Sequence, residues 1–343
     1  MSEKKLEEIE TMFKKTSMVK LEINEIKPIN KISVILDGSI QGKKALETAI
    51  SLGELLNTSV DVIISGIYIE PFQSLYNTTM ESIESLKTMA EEKINEKKLY
   101  SKINTVFSTK LDKVLEAFKP SEKEEEEKLS NKLINKLEEI DADLLIIGVP
   151  LFSISDEYEN LGIYVSKLLR ERKIHANILL VTPNTKEIKD SILAFVSIEQ
   201  QPASIIALTK RALSLSTKKT KIHVVGMVED RVIETVARVD LLGKDDEDTT
   251  PPDLEGAGIR LEKKMIHNLE TITINPSINY GEFTTSVKKG SVSSILNISL
   301  EDNAPGIVLV RSVAEIGENL DPIAEQFIRS ILKNEYPCLV VWD

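Results

Sequence analysis

The sequence predicts an α/β protein made of two tandem units, each with a five-stranded parallel sheet and helices on both faces. Short apolar runs rich in β-branched residues alternate with stretches whose apolar positions have helical spacing, which is typical of parallel sheets. The alternation begins again after residues 183–188, and matching positions such as Asp37 and Ser197 are 160 residues apart. We therefore interpret the chain as an internal repeat whose halves form a pseudo-dimer.

In the first half, the periodicity predicts five strands and four helices in alternation. The strands are expected over residues 31–36, 60–69, 103–109, 144–148 and 177–181. The first helix has its apolar positions between Ala45 and Leu55, and the others are expected over residues 80–99, 121–140 and 158–172. Right-handed crossovers restrict how such a chain can wind.

The second half repeats four of these strands and the first and last helices. Strands are expected over residues 192–197, 222–228, 307–310 and 338–341, with helices over 203–215 and 323–332. The last strands of the two halves are expected to meet near a pseudo-twofold axis, because pairing would remove two exposed sheet edges. The predicted organisation is an N-terminal extension over 1–30, a domain over 31–183, a linker over 184–189 and a second domain over 190–343.

Two segments lie outside this repeat. Residues 1–28 contain an amphipathic stretch and then an alternating stretch, MVKLEINEI, that predicts an extra strand. The apolar face of the amphipathic stretch carries Leu6, Ile9, Met12 and Phe13. Residues 240–258 combine acidic residues with Pro and Gly, so we expect a solvated loop without the spacing of a calcium site.

Composition limits the function classes. The formal charge of −12 disfavours nucleic-acid binding, which requires a basic surface. No apolar run reaches the roughly 20 residues that span a bilayer, and the N-terminus lacks a signal-peptide core, so we expect a cytoplasmic protein with no membrane partner. The single cysteine, Cys338, lies in an apolar run and is expected to be a buried thiol.

The sequence motifs favour a protein without catalytic or metal chemistry. His175, His223 and His267 are isolated in the sequence and lack the spacing of metal ligands. Gly-x-Ser-x-Gly, Gly-x4-Gly-Lys-Ser/Thr and Gly-x-Gly-x-x-Gly motifs are absent from the sequence. We therefore predict no catalytic residues and no metal site, although an enzyme stays an open alternative.

The sequence at Asp37 supports two interpretations. Asp commonly satisfies backbone N–H groups at a turn or helix start, and Asp37 directly precedes the first helix. The same position lies at the carboxyl edge of a parallel sheet, where ligands usually bind. Both roles are compatible, and we favour the structural one.

The sequence of the first half resembles the universal stress protein domain, and the whole chain looks like a tandem of two such domains. The resemblance rests on VILDGSIQGKKALETAISLGELL, on DADLLIIG and on GIYVSKLL through NILLV. It implies an adenine nucleotide alpha hydrolase-like fold, pairing through the last strand, and membership of either an ATP-binding or a non-binding class.

The resemblance also implies where a nucleotide would lie. In the ATP-binding class a loop of pattern Gly-x2-Gly-x9-Gly-Ser/Thr follows the fourth strand, and its N–H groups and hydroxyl hold phosphate. The residues carried over are Asp37 and Gly38, then Ile67 and Tyr68 beside the base, Gly148 and Val149, and Gly162 and Ile163. Leu151 stands where the second glycine belongs, Gly162 comes one residue late and Ile163 replaces the hydroxyl residue, so the motif is degenerate.

These observations favour a non-catalytic universal stress-type regulatory protein that acts mainly through protein partners or self-association. The first alternative is a nucleotide sensor that binds one ATP or another adenine nucleotide in the first half. The second is a slow nucleotide hydrolase on the same scaffold. Ser197 and Arg311 replace Asp37 and Gly148 in the second half, so we expect no ligand there.

Overall fold

The computed structural model describes residues 21–64, 83–105, 142–151, 176–200, 202–242, 251–311 and 322–342. It also describes Leu137, Glu139, Leu161, Val165, Ser166, Leu168 and Leu169. The described residues divide into two units by their contacts. The first unit is drawn from Pro28–Asp190 and Pro305–Trp342, and the second from Met1–Lys27 and Ser191–Ala304.

The described residues contain twelve strands and seven helices. Strands β1 to β12 are Leu21–Ile23, Lys31–Leu36, Ser59–Ile64, Ile103–Thr105, Leu144–Gly148, Asn177–Val181, Ser191–Ser197, Lys221–Glu229, Ile272–Ile274, Glu282–Gly290, Ile307–Arg311 and Cys338–Val341. Helices α1 to α7 are Ile40–Leu56, Ile83–Glu96, Pro202–Ser214, Asp230–Leu242, Leu254–Glu270, Val292–Asn303 and Pro322–Lys333.

In the first unit, seven described strands lie in the order β11-β12-β6-β5-β2-β3-β4. The five strands of the first sequence half, from β6 to β4, are parallel to one another. Strand β5 is buried along its whole length, and so is β2 after its first residue, because both faces of these central strands are covered. The predicted α/β class, with a mostly parallel sheet, is therefore confirmed.

The last strands of the two sequence halves pair with each other within the first unit, as we predicted. β6 and β12 are antiparallel, and Leu179 lies opposite Leu339. The backbone N–H of Trp342 donates to Asn177 Oδ1 at 3.1 Å, and its indole Nε1–H donates to the Ala176 carbonyl at 3.0 Å. Each strand thus covers an edge that the other half would otherwise expose.

In the second unit, β10, β8 and β7 are adjacent and parallel in that order. A second, two-stranded sheet joins β1 to β9, so the extra strand predicted near the N-terminus is present. Helix α5 packs on β8 and β10. Gly226 allows this approach, because a side chain there would overlap Met265.

The predicted loop over residues 240–258 is wrong at both of its described ends. Helix α4 continues to Leu242, and α5 begins at Leu254. Asp253 is the N-cap of α5, since its carboxylate accepts a 2.8 Å hydrogen bond from the Gly256 N–H. The acidic and glycine residues that suggested a loop are therefore partly a helix cap and a helix start.

Most predicted strands coincide with described ones to within two residues. Of the predicted helix over 121–140, the structure describes only Leu137 and Glu139. The predicted apolar face of the N-terminal stretch lies outside the described residues, and it comprises Leu6, Ile9, Met12 and Phe13. The two units are defined by contacts and not by the sequence repeat. The predicted domain boundaries therefore stay predictions. Among the described helices, none is long and apolar enough to cross a membrane.

Candidate functional site

The polar turn after β2 is buried and bonds to itself. Asp37 is 5% exposed, and its Oδ1 accepts hydrogen bonds from the Ser39 backbone N–H, at 3.0 Å, and from the Ser39 hydroxyl. Ser39 Oγ accepts a 3.0 Å bond from the Gly42 N–H, so Ser39 is the N-cap of α1. The chain itself therefore uses donors at the start of this helix that an anion would otherwise bind.

Glycines let the start of α1 approach the end of β5 closely. A Cβ at Gly148 would overlap the Gln41 carbonyl and lie 2.8 Å from the Gly42 nitrogen. A Cβ at Gly42 would overlap the Asp37 carboxylate. Gly38 has a φ of 82°, a backbone conformation that favours glycine. Close packing thus gives Gly148 and Gly42 a structural role that needs no ligand.

The structure brings half of the predicted nucleotide-site residues together. Asp37 and Gly38 follow β2, while Gly148 and Val149 end and follow the adjacent strand β5. Val149 is buried, and its N–H donates to the Val181 carbonyl at 2.7 Å. The other four predicted residues, Ile67, Tyr68, Gly162 and Ile163, lie outside the described residues.

The described backbone N–H group nearest to Gly162 in the sequence already donates to a carboxylate. The Leu161 N–H donates to Glu325 Oε1 at 2.6 Å, and the Ser166 hydroxyl lies 3.3 Å from the same oxygen. Leu151, which replaces the second glycine of the motif, has 43% of its surface exposed. The loop that would hold phosphate therefore has an acidic side chain from α7 at one of its ends, which opposes the approach of an anion.

The corresponding turn in the second unit has a different polar network. Ser197, which aligns with Asp37, donates from Oγ to Glu229 Oε1 at 3.2 Å. Arg231 donates from Nε to Glu229 Oε2 at 2.8 Å and through a terminal nitrogen to Glu199 at 2.7 Å. The Glu229 side chain is 4% exposed. The second half thus retains a buried carboxylate at this edge, but β8 supplies it instead of β7.

Sequence reasoning missed Ser39 and Glu229. The signal for Ser39 was available, because Ser directly before an apolar helix is a common N-cap. The signal for Glu229 was weaker: a Glu-Asp-Arg run ends an apolar strand, but only the sheet pairing brings Glu229 beside Ser197.

His223 is one of the three histidines that the sequence predicts to be isolated from other metal ligands. Its Nδ1 lies 2.7 Å from Thr284 Oγ1 and its Nε2 lies 2.8 Å from Ser286 Oγ, so hydroxyl groups satisfy both ring nitrogens. Within the described part of the chain, no group of three His, Cys, Asp or Glu side chains could hold a metal ion. Cys338 is buried, as predicted, and burial raises the pKa of its thiol far above the usual range.

The fold and this site define a doubly wound α/β protein with a polar, self-bonded turn at the carboxyl edge of its sheet. No protein-family model matches the chain, and no curated protein matches it. It is similar to a solved structure of a functionally unknown protein from Pseudomonas aeruginosa PAO1, with 14% identity, a TM-score of 0.49, and coverage of 91% of this chain and 92% of that one. It is also similar to a universal stress protein from Archaeoglobus fulgidus DSM 4304, with 11% identity, a TM-score of 0.43, and coverage of 91% and 95%.

Proposed function

We propose that the chain is a non-catalytic, cytoplasmic regulatory protein of the universal stress type, with two tandem domains that act through protein partners. The strand order supports the tandem organisation, because β2, β3 and β4 are neighbours in the first unit as β7, β8 and β10 are in the second. The parallel pair β5–β6 has its counterpart in β11–β12.

The observation that carries the proposal is the buried turn at Asp37. A pocket for a triphosphate must replace the hydrogen bonds that phosphate makes to water, and each unmatched group costs roughly 1 to 3 kcal/mol. The Ser39 and Gly42 N–H groups are directed to side chains of the turn itself. The Glu325 carboxylate adds like charge at the end of the loop. Both features favour a role that does not depend on a nucleotide.

The alternative is a sensor that binds one adenine nucleotide per chain in the first half. It is supported by the adjacency of Asp37 and Gly148 at the carboxyl edge of a parallel sheet, where ligands usually bind. Slow hydrolysis would be a further step on the same bound nucleotide, and release of inorganic phosphate would detect it.

Thermal unfolding with and without Mg-ATP, AMP and cyclic nucleotides separates these functions. A ligand at one hundred times its Kd stabilises a native protein by about 2.7 kcal/mol. We expect no such shift for the natural chain. The double variant Leu151→Gly with Ile163→Ser, which restores motif residues, should gain a shift with Mg-ATP.

The matched control is Leu151→Ala with Ile163→Val, which shortens the same side chains without restoring glycine or a hydroxyl. Calorimetry on any variant that binds should give one nucleotide per chain. Tight ATP binding by the natural chain, lost in Asp37→Ala without a loss of stability, would refute the proposal in favour of the sensor.

A further inference from the structure

β10 is the outer strand of its sheet among the described residues, since it pairs with β8 alone. The N–H and C=O groups of successive residues in a strand point alternately to its two edges. The Glu282 N–H donates to the Thr220 carbonyl at 3.1 Å, so the residues with even numbers bond toward β8. Phe283, Thr285 and Val287 therefore direct their N–H and C=O groups away from β8 and toward the open edge.

We propose that a second copy of this chain pairs with β10 in antiparallel orientation, about a twofold axis at Thr285. A twofold axis perpendicular to the sheet keeps the same face of both copies on the same side. Residues directly opposite each other must then belong to the same face. In this register the opposing pairs are Glu282 with Lys288, Phe283 with Val287, Thr284 with Ser286, and Thr285 with Thr285.

The strand is complementary to itself in this register. Opposite charges, an aromatic with a β-branched side chain, and paired hydroxyl residues are the cross-strand combinations that stabilise sheets. All four opposing pairs belong to these classes. A shift that puts Ser286 on the axis would instead place Phe283 opposite Lys289 and Thr284 opposite Lys288. Of these two registers, the order of residues in β10 favours the one centred on Thr285.

On one face of the sheet, exposed isoleucines of α5 flank the β10 edge. Lys289 of β10 forms a 2.7 Å ion pair with Glu262 of α5, which places this side of α5 beside β10. Ile259 and Ile266 lie three residues before and four residues after Glu262, hence on the same side of the helix. They are 41% and 38% exposed.

On the other face, α6 has the same arrangement. Lys288 forms a 2.7 Å ion pair with Asp302, and Ile298 lies four residues before Asp302 with 45% of its surface exposed. Pairing of two β10 strands would bring α5 beside α5 and α6 beside α6 of the second copy. The apolar surface on both sides of the edge would then be covered together with the strand.

Lysines on an edge strand usually discourage pairing with another chain. Here both lysines already form ion pairs with their own helices, and Lys288 would also meet Glu282 of the second copy. The inference stands apart from the proposed function, because it uses no residue of the Asp37 turn or of the loop after β5.

Sedimentation velocity of the full chain over a wide concentration range tests the pairing. We expect a reversible dimer with twice the 38.4 kDa mass of the chain. Thr285→Pro removes an outward N–H but none of the bonds to β8, so it should give a folded monomer. Thr285→Val keeps the N–H and the branched side chain, and it should still form the dimer.

Charge variants test the register. Glu282→Lys places two lysines opposite each other and should weaken dimerisation about tenfold, which corresponds to about 1.4 kcal/mol. Lys288→Glu should weaken it similarly, and the double variant with both changes should restore it. Circular dichroism confirms that each variant folds, and these variants decide the matter if Thr285→Pro does not fold.

A natural chain that stays monomeric at every concentration would overturn the proposal. So would a dimer that neither Thr285→Pro nor Glu282→Lys weakens, because its interface would then lie elsewhere. A dimer that the single charge variants weaken but the double variant does not restore would overturn the register.

Discussion

Asp37 and Ser39 together stabilise the N-terminus of α1. Ser39 caps the helix through its hydroxyl, and Asp37 holds that hydroxyl and the Ser39 N–H in place with one carboxylate oxygen. The sequence alone suggested that Asp37 itself would serve the helix start. In the structure Ser39 is the cap, and Asp37 acts indirectly because its carboxylate orients Ser39.

Asp37→Ala should lower the free energy of unfolding by about 1 kcal/mol, because the Ser39 N–H loses its acceptor and the cap loses its support. Urea unfolding measures the change. Asp37→Asn keeps an acceptor oxygen and is the matched control, expected to retain most of the stability. Equal stability of the Ala variant and the natural chain would show that these bonds contribute little.

Gly148→Ala should destabilise the chain by about 1 to 3 kcal/mol, since the new methyl group would overlap the Gln41 carbonyl and force backbone shifts. Gly258→Ala in α5 is the control. A Cβ at Gly258 would lie at 3.5 Å from Ile233, an ordinary contact, and alanine favours a helix by up to about 1 kcal/mol. Thermal unfolding compares both variants, and a tolerant Gly148→Ala would disprove the packing role.

At the scale of the elements, strand β8 carries a titratable residue, His223, whose ring contacts side chains of β10. Burial lowers the pKa of His223 below 6.5, the positive charge of Lys288 lowers it further, and Asp302 opposes this shift. The hydroxyls of Thr284 and Ser286 contact both ring nitrogens. The folded protein therefore favours the neutral imidazole, which links the stability of this strand pair to pH.

The sign of the linkage follows from the lowered pKa of His223. As pH falls below about 6.5, the unfolded chain takes up the proton first, so the free energy of unfolding decreases until pH passes the folded pKa. His223→Gln should remove this part of the pH dependence while keeping polar atoms near the hydroxyls. Urea unfolding across this pH range measures it, and identical pH profiles for the two proteins would contradict the assignment.

At the scale of the whole molecule, the first unit is built from segments of both sequence halves. Three elements of this unit, β11, α7 and β12, come from the second sequence half. Strand β12 pairs with β6 of the first half and so covers its edge. Trp342 and Asn177 close this junction through a hydrogen bond between the Trp342 N–H and the Asn177 side chain. The two sequence halves are thus not independent in the first unit.

A fragment of residues 28–190 should self-associate or unfold at a lower temperature than the full chain, because β6 would lose its partner strand and expose an apolar edge. Sedimentation and thermal unfolding measure both effects. Adding residues 305–342 back through a flexible linker provides the control and should reduce the association. A monomeric fragment as stable as the full chain would show that β12 is dispensable.

Sequence periodicity predicted the central strands well and the peripheral elements poorly. β2, β5, β6 and β12 have the predicted bounds, because strands covered on both faces are continuous apolar runs. β10 was missed, since an outer strand needs no such run and its centre is Thr-Thr-Ser. Helices α4, α5 and α6 were missed, and the start of α5 was predicted as a loop because Gly256 and Gly258 are typical of loops.

The sequence by itself determined the α/β class and the bounds of the buried strands, because burial on two faces leaves a local apolar pattern. Only the tertiary structure decided the role of Gly148, the supply of a carboxylate by Glu229, and the meeting of Leu161 with Glu325. Each of these joins residues that are distant in the chain, and the distance between such residues is set by strand pairing and helix packing, which local periodicity does not encode.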